Sequence, residues 1–130
     1  LMVLAVALSA ALAAGTSAQA ADLRLKCVWD LSQDLKTGLV QRVSGEQMLL
    51  FRSTGGTYGQ LEVEGMPKPF PASIGDTYLK ADIKYLSGTT QMTEKLEVNR
   101  YTGGIRKWLR WADSGSLYQG KCALVTGALF

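Results

Sequence analysis

The residues best suited to bind a ligand lie in the run Ile105–Trp111. If this run is a β-strand, side chains alternate between its faces, and Arg106, Trp108 and Arg110 share one face. The other face is apolar apart from Lys107, which we expect near a strand end or a barrel mouth. An indole between two guanidiniums suits an anionic or carbohydrate ligand, or a protein hot spot. The alternative is that the arginines, or a loop, cover Trp108.

Catalytic chemistry has few candidates in this chain. There is no histidine, which removes histidine-based acid–base catalysis, nucleophile–histidine pairs and histidine metal ligation. Two cysteines cannot form a four-thiolate zinc site, and no phosphate-binding glycine loop occurs. The carboxylates Glu62, Glu64 and Glu97 leave a hydrolase as an unfavoured alternative. We therefore predict a protein that is not an enzyme, with no catalytic residue, no cofactor and no metal site.

Two cysteines, Cys27 and Cys122, are separated by 95 positions. In an oxidising compartment they would form one disulfide, and the alternative is two buried thiols. A disulfide brings the two Cα atoms within about 4.4–6.8 Å. The first and last strands should therefore be neighbours or face each other across the core.

The first residues of the chain predict export. Residues 1–20 carry no charge, and Ala18-Gln19-Ala20 is a small-x-small cleavage site. We interpret residues 1–20 as a cleaved signal peptide and residues 21–130 as a single β domain. The expected location is the periplasm or the extracellular medium, with no membrane span.

The formal net charge is +3, with acidic residues interspersed among the basic ones. This balance does not predict nucleic-acid binding, but it favours attraction to an anionic surface. If the strand register aligns them, several outward basic residues would join Arg106 and Arg110 in one basic face: Arg24, Lys26, Lys80, Lys84 and Lys121.

Alternation with a period of two residues dominates from Leu23 onward and predicts an all-β fold. We expect seven to eight strands in a single antiparallel meander, closed as a small barrel or a flattened sandwich with one disulfide. Closure would place the first strand beside the last, as the cysteines require. If the barrel is hollow, three tyrosines would line its cavity, namely Tyr58, Tyr85 and Tyr118. If the barrel is filled, the same tyrosines would pack in the core.

Two regions interrupt this alternation. The polar segment 30–38 is predicted to be a loop, and residues 31–39 are the best candidate for one helical turn. The segment 65–75 contains all three prolines. Since proline cannot donate to a central ladder, this segment is predicted to be a connection or an irregular edge.

Two resemblances accompany these patterns. The hairpin 96–103 and the Gly-x-Cys at Cys122 resemble the C-terminal half of small exported proteobacterial proteins of unknown function, which implies a β fold in a Gram-negative envelope. Size, leader and terminal cysteines are also similar to the periplasmic inhibitors of c-type lysozyme, which are small β-barrels. Those inhibitors carry a Ser-Gly-x-Gly-x-x-Tyr loop, from which the nearest stretches, 53–58 and 87–89, depart.

The sequence therefore predicts an exported, non-enzymatic β-barrel that binds an unidentified envelope ligand or protein through Arg106, Trp108 and Arg110. One alternative is an inhibitor of a cell-wall hydrolase such as lysozyme, in which the loop 53–58 would enter the enzyme's cleft. The other is a hydrolase that uses Glu62, Glu64 or Glu97.

Overall fold

Nine β-strands make up the described part of the chain, and each pairs antiparallel with its neighbours. The structure is a computed structural model that describes residues 22–125, so the predicted signal peptide lies outside the described residues. No helix occurs within that range. The strands are β1 (Leu23–Asp34), β2 (Val40–Arg42), β3 (Glu46–Gly55), β4 (Tyr58–Val63), β5 (Phe70–Ile74), β6 (Tyr78–Ser87), β7 (Thr90–Asn99), β8 (Gly104–Trp111) and β9 (Ser114–Leu124).

Eight of these strands form a closed barrel, and β2 is an additional strand. β1 pairs with β3 through its first half and with β2 through its second half. On its other edge β1 pairs with β9 from Leu25 to Asp34, which closes the sheet. The predicted closed antiparallel meander is therefore confirmed.

The predicted disulfide is also present. Cys27 and Cys122 are directly paired residues of β1 and β9, and their sulfur atoms are bonded. Cys27 lies in the core with no exposed surface. The bond thus joins the first and last strands at the point where the barrel closes.

Inward-facing side chains fill one end of the barrel completely. At this end, which contains the turns 56–57, 75–77 and 100–103, the inward residues of several strands are almost fully buried: Leu25, Phe51, Leu61, Leu79, Val98 and Ile105. Burial of apolar surface of this kind is the main favourable contribution to folding. We call this the sealed end.

Two turns at the sealed end are joined by Arg100, which follows β7. Its guanidinium Nη1 donates a hydrogen bond of 2.6 Å to the carbonyl oxygen of Gly75, and its backbone N–H donates to Thr77. Burial lowers the pKa of Arg100. The turn itself is fixed by Asn99, whose side-chain oxygen accepts from the backbone of Tyr101 and Thr102. The turn 100–103 therefore joins β7 and β8 as a β-hairpin.

The prediction of a loop over residues 30–38 is partly wrong, because β1 continues to Asp34. The strand passes through this polar stretch because β9 and β2 pair with its two edges. The turn that follows contains no helix. Its start is fixed by Asp34, whose carboxylate accepts hydrogen bonds from the backbone N–H groups of Thr37 and Lys36, which lower the pKa of that carboxyl group.

The prediction for the proline-rich segment 65–75 is partly wrong, because residues 65–69 form a connection as predicted but residues 70–74 form a strand. β5 is an interior strand that pairs with β4 on one side and β6 on the other. Pro71 is tolerated because it lies opposite Gln60 of β4, one residue before the ladder with β6 begins at Ala72.

We expect that removing the disulfide lowers the free energy of unfolding by about 4 kcal/mol, since the bond closes a loop of 95 residues in the unfolded chain. The measurement is denaturant unfolding of the oxidised protein, the reduced protein and the variant Cys27→Ala with Cys122→Ala. Equal stability of the oxidised and reduced proteins, within about 1 kcal/mol, would contradict this expectation.

Candidate binding site

The side chains of β8 alternate as the sequence predicts. Arg106 and Arg110 are exposed on the outer face of the barrel, Trp108 is half-buried between them, and Lys107 points into the interior. The Arg106 guanidinium carbon lies 5.3 Å from the centroid of the Trp108 ring. This is within cation–π range, so one arginine contacts the indole while part of the indole stays exposed.

A groove of about 700 Å³ runs across the outer face beside Trp108. Trp108 and Arg110 form one wall, and Tyr58 and Pro71 form the opposite wall. We call this the outer groove. Its floor crosses β6 and β7 and is lined by alternating charges, namely Lys80, Asp82, Lys95 and Glu97.

The strand register explains how these residues come together. Lys80, Glu97 and Arg106 are direct cross-strand neighbours on β6, β7 and β8. Asp82, Lys95 and Trp108 form the next row. Directly opposite residues lie about 4.5–5.5 Å apart, so the floor presents hydrogen-bond donors and acceptors at short, regular intervals.

The outer face of β6–β9 carries the excess positive charge of the chain. It has six basic side chains and two acidic ones, while the whole chain has 14 and 11, so all other residues together have eight basic and nine acidic side chains. The face comprises Lys80, Lys84, Lys95, Arg106, Arg110 and Lys121, with Asp82 and Glu97.

Most of these cations have no acidic partner. Lys80 lies 3.9 Å from Glu97, and this is the one ion pair of the face within residues 22–125. The predicted basic face therefore includes Lys80, Lys84 and Lys121. Arg24 and Lys26 lie on β1 instead, and Lys26 forms an ion pair of 3.4 Å with Glu46.

Of the three carboxylates considered for hydrolysis, Glu62 and Glu64 line one surface pocket, and Glu97 lies apart from both. Glu62 lies on β4 and is held by Arg52 through a hydrogen bond of 2.6 Å, whereas Glu97 lies three strands away on β7. Three strand spacings amount to about 14 Å, which exceeds the separation of about 5–9.5 Å in glycosidase carboxylate pairs.

The inner side of the same wall carries a second polar group of residues. Lys107 and Glu94 both point into the barrel, with 14% and 7% of their side-chain surface exposed, and their charged atoms are 3.9 Å apart. Tyr85 donates a hydrogen bond of 2.7 Å to Oε2 of Glu94. The Lys107 ammonium lies 4.8 Å from the ring centroid of Trp29 and 5.0 Å from that of Tyr118. We call these five residues the inner cluster.

A β-bulge positions Trp29 in the inner cluster. Asp30 is an extra residue in β1, because Trp29 pairs with Gly120 and Leu31 with Gln119. Gly120 permits this close approach, since a Cβ atom there would collide with the carbonyl oxygen of Val28. Trp29 then packs edge-on against Tyr118, with ring centroids 6.0 Å apart.

The sequence predicted the orientation of some residues of the inner cluster. The inward orientation of Lys107 is confirmed, and Tyr85 and Tyr118 do face the interior. Tyr58 does not, because it begins β4 on the outer face and is 76% exposed. Glu94 was missed. Its only sequence signal is its position two residues before Leu96, on the apolar face of β7.

Two further properties concern the described residues. Within 22–125, no three histidine, cysteine or acidic side chains are grouped so that they could hold a metal ion. The same range contains no helix with the length and apolar character needed to cross a membrane. Comparison with protein-family models, curated proteins and solved structures found no match to this chain.

We expect Tyr85 to ionise only at strongly alkaline pH. Its burial and its hydrogen bond to Glu94 both raise its pKa far above the ordinary value of 10.0. The neutral phenol therefore stabilises the folded state fully below about pH 10, and this contribution declines as the pH rises further. Glu94→Gln should lower the pKa only in part, because burial is the larger cause.

The measurement is a titration of tyrosinate absorbance in the native protein, with Tyr85→Phe to assign the signal. In that variant the tyrosine ionisation step that occurs at the highest pH in the folded wild-type protein should be absent. An unchanged titration curve in Tyr85→Phe would contradict the assignment.

Proposed function

We propose that the protein is an exported, non-enzymatic binding protein of the cell envelope whose outer groove binds an acidic polysaccharide. The observation that carries this proposal is the combination of aromatic walls and unpaired cations around one groove, with Trp108 and Arg110 on one side and Tyr58 on the other. The disulfide supports an oxidising compartment.

The walls of the groove suit sugar rings. A pyranose presents flat C–H surfaces that pack on aromatic rings, and Trp108 and Tyr58 offer such rings at opposite sides of the groove. Tyr58 is among the most exposed large side chains of the described residues, with 76% of its surface accessible. Its ring is therefore available for contact without rearrangement of the barrel.

The floor suits hydroxyl groups, and the Trp108 wall suits acidic groups. A hydroxyl both donates and accepts hydrogen bonds, and the floor offers donors and acceptors next to each other in Lys95 and Asp82. Arg110 forms no ion pair within residues 22–125, so its guanidinium can bind a carboxylate of the ligand without first breaking a contact.

The test uses a uronic-acid oligosaccharide, oligogalacturonate, and its methyl ester, which has the same sugar rings without charge. We expect the acid to bind, with affinity that falls as salt is raised, and the ester to bind at least about tenfold more weakly. Trp108→Ala and Tyr58→Ala should each weaken binding about 5- to 30-fold, as expected for aromatic residues at a binding hot spot.

Matched controls are available elsewhere on the surface. Tyr101→Ala removes a tyrosine that is also exposed but lies outside the groove, and Arg42→Gln removes an exposed arginine of β2. Both controls should leave binding unchanged. Equal binding of acid and ester, or binding to anionic lipid vesicles that is stronger than binding to the oligosaccharide, would contradict the proposal.

Inhibition of a cell-wall hydrolase is the second candidate function. It is favoured by the exposed Tyr58 beside the tight β3–β4 turn 56–57, since this end of the hairpin would have to enter the enzyme's cleft. Inhibition of lysozyme that is lost in Tyr58→Ala and retained in Trp108→Ala would support this function over glycan binding.

A further inference from the structure

The Lys107 ammonium donates no hydrogen bond to the described residues and is open to water or a ligand. It carries three donors, but the nearest acidic oxygen, Oε1 of Glu94, lies 3.9 Å away, beyond hydrogen-bond distance. Its other close neighbours are the faces of Trp29 and Tyr118. Within residues 22–125 it therefore makes cation–π contacts and one long ion pair, and no hydrogen bond.

One oxygen of the Glu94 carboxylate accepts a hydrogen bond from a described residue, and the other does not. Oε2 accepts the hydrogen bond from Tyr85, while Oε1 faces the Lys107 ammonium at 3.9 Å. Because the two atoms are 3.9 Å apart, one hydroxyl oxygen can lie about 2.8 Å from both of them. It would accept a hydrogen bond from Nζ and donate its proton to Oε1, satisfying both charged groups.

The pairing of a lysine with a glutamate favours a ligand group that is polar and uncharged. A ligand carboxylate at the same place would approach the negative Oε1 of Glu94, and a ligand ammonium would approach Nζ of Lys107. Each would also disturb a pair whose charges already balance. A hydroxyl adds no charge and meets both groups with the hydrogen-bonding role that each requires.

The surroundings of the inner cluster are apolar and incompletely buried. Beyond Lys107 and Glu94, toward the turns 88–89 and 112–113, the inward-facing side chains are half-buried, in contrast to the sealed end. They are Tyr85, Met92, Leu109 and Trp111. We call this the half-open end. Its large, partly accessible apolar side chains could pack against the body of a small apolar molecule.

A buried amide supplies independent support. Gln47 of β3 lies diagonally from Trp29 across the β1–β3 pairing, and its side-chain oxygen is buried without a hydrogen-bond donor within residues 22–125. An unsatisfied buried acceptor is costly. The interior near Trp29 thus contains a second group whose hydrogen bonding the described residues do not complete.

We propose that the half-open end binds a small neutral molecule that has an apolar chain or ring and one hydroxyl group, with the hydroxyl bridging Lys107 Nζ and Glu94 Oε1. This site lies on the inner side of the β7–β8 hairpin, and the outer groove lies on the other side. The proposal does not depend on the function of that groove.

The test compares three probes that share one chain: octan-1-ol, octanoate and octylammonium. Their affinities for the wild-type protein are measured by calorimetry, and the indole N–H signals of the three tryptophans are followed by NMR. We expect octan-1-ol to bind at least tenfold more tightly than either ionic probe. It should shift the signal of Trp29 and leave that of Trp108 unchanged.

The variant Lys107→Met with Glu94→Leu removes both charges together, so that neither remains buried without its partner. We expect its affinity for octan-1-ol to fall about tenfold, while Lys95→Met, on the outer face of the same hairpin, leaves it unchanged. The order of the probes in the wild-type protein needs no variant and tests the proposal even if the double variant does not fold.

Three results would overturn the proposal. The first is the absence of octan-1-ol binding, which would mean that a water molecule alone bridges the pair. The second is binding of octanoate or octylammonium that is as tight as that of octan-1-ol. The third is unchanged octan-1-ol affinity in a folded double variant.

Discussion

The pairing of β1 with β9 is the constraint on which the rest of the structure depends. It closes the sheet, and the disulfide between Cys27 and Cys122 fixes the register of this pairing at one directly opposed pair. Closure divides each strand of the barrel into an inward and an outward set of side chains. Neighbouring residues such as Lys107 and Trp108 therefore face entirely different environments, one buried and one beside solvent.

Periodicity was sufficient to predict the strands that have one solvent-exposed face and one buried face. The β6 strand and the outward position of Trp108 followed from alternation alone. The pattern failed for residues 30–34 and for β5, where polar residues or proline occupy strands that tertiary pairing stabilises. Local sequence carries no information about those partners, so these strands could not be predicted from composition.

The two candidate sites illustrate the same limit. Lys107 stood out as a charged residue on an apolar face, but its partner Glu94 comes from a different strand. They meet because Lys107 pairs directly with Leu96 and the Glu94 side chain lies diagonally from it. Similarly, the outer groove includes Tyr58 of β4 and Trp108 of β8, which belong to strands four positions apart in the sheet.

Stability alone does not explain the inner cluster. Burying two charges requires their desolvation, and replacing a buried ion pair with well-packed apolar residues is often neutral or stabilising. The sealed end shows that this chain can fill a barrel interior with leucine, valine and isoleucine. A lysine and a glutamate at the half-open end, with hydrogen bonds still to be made, are therefore better explained by recognition of a polar group than by folding.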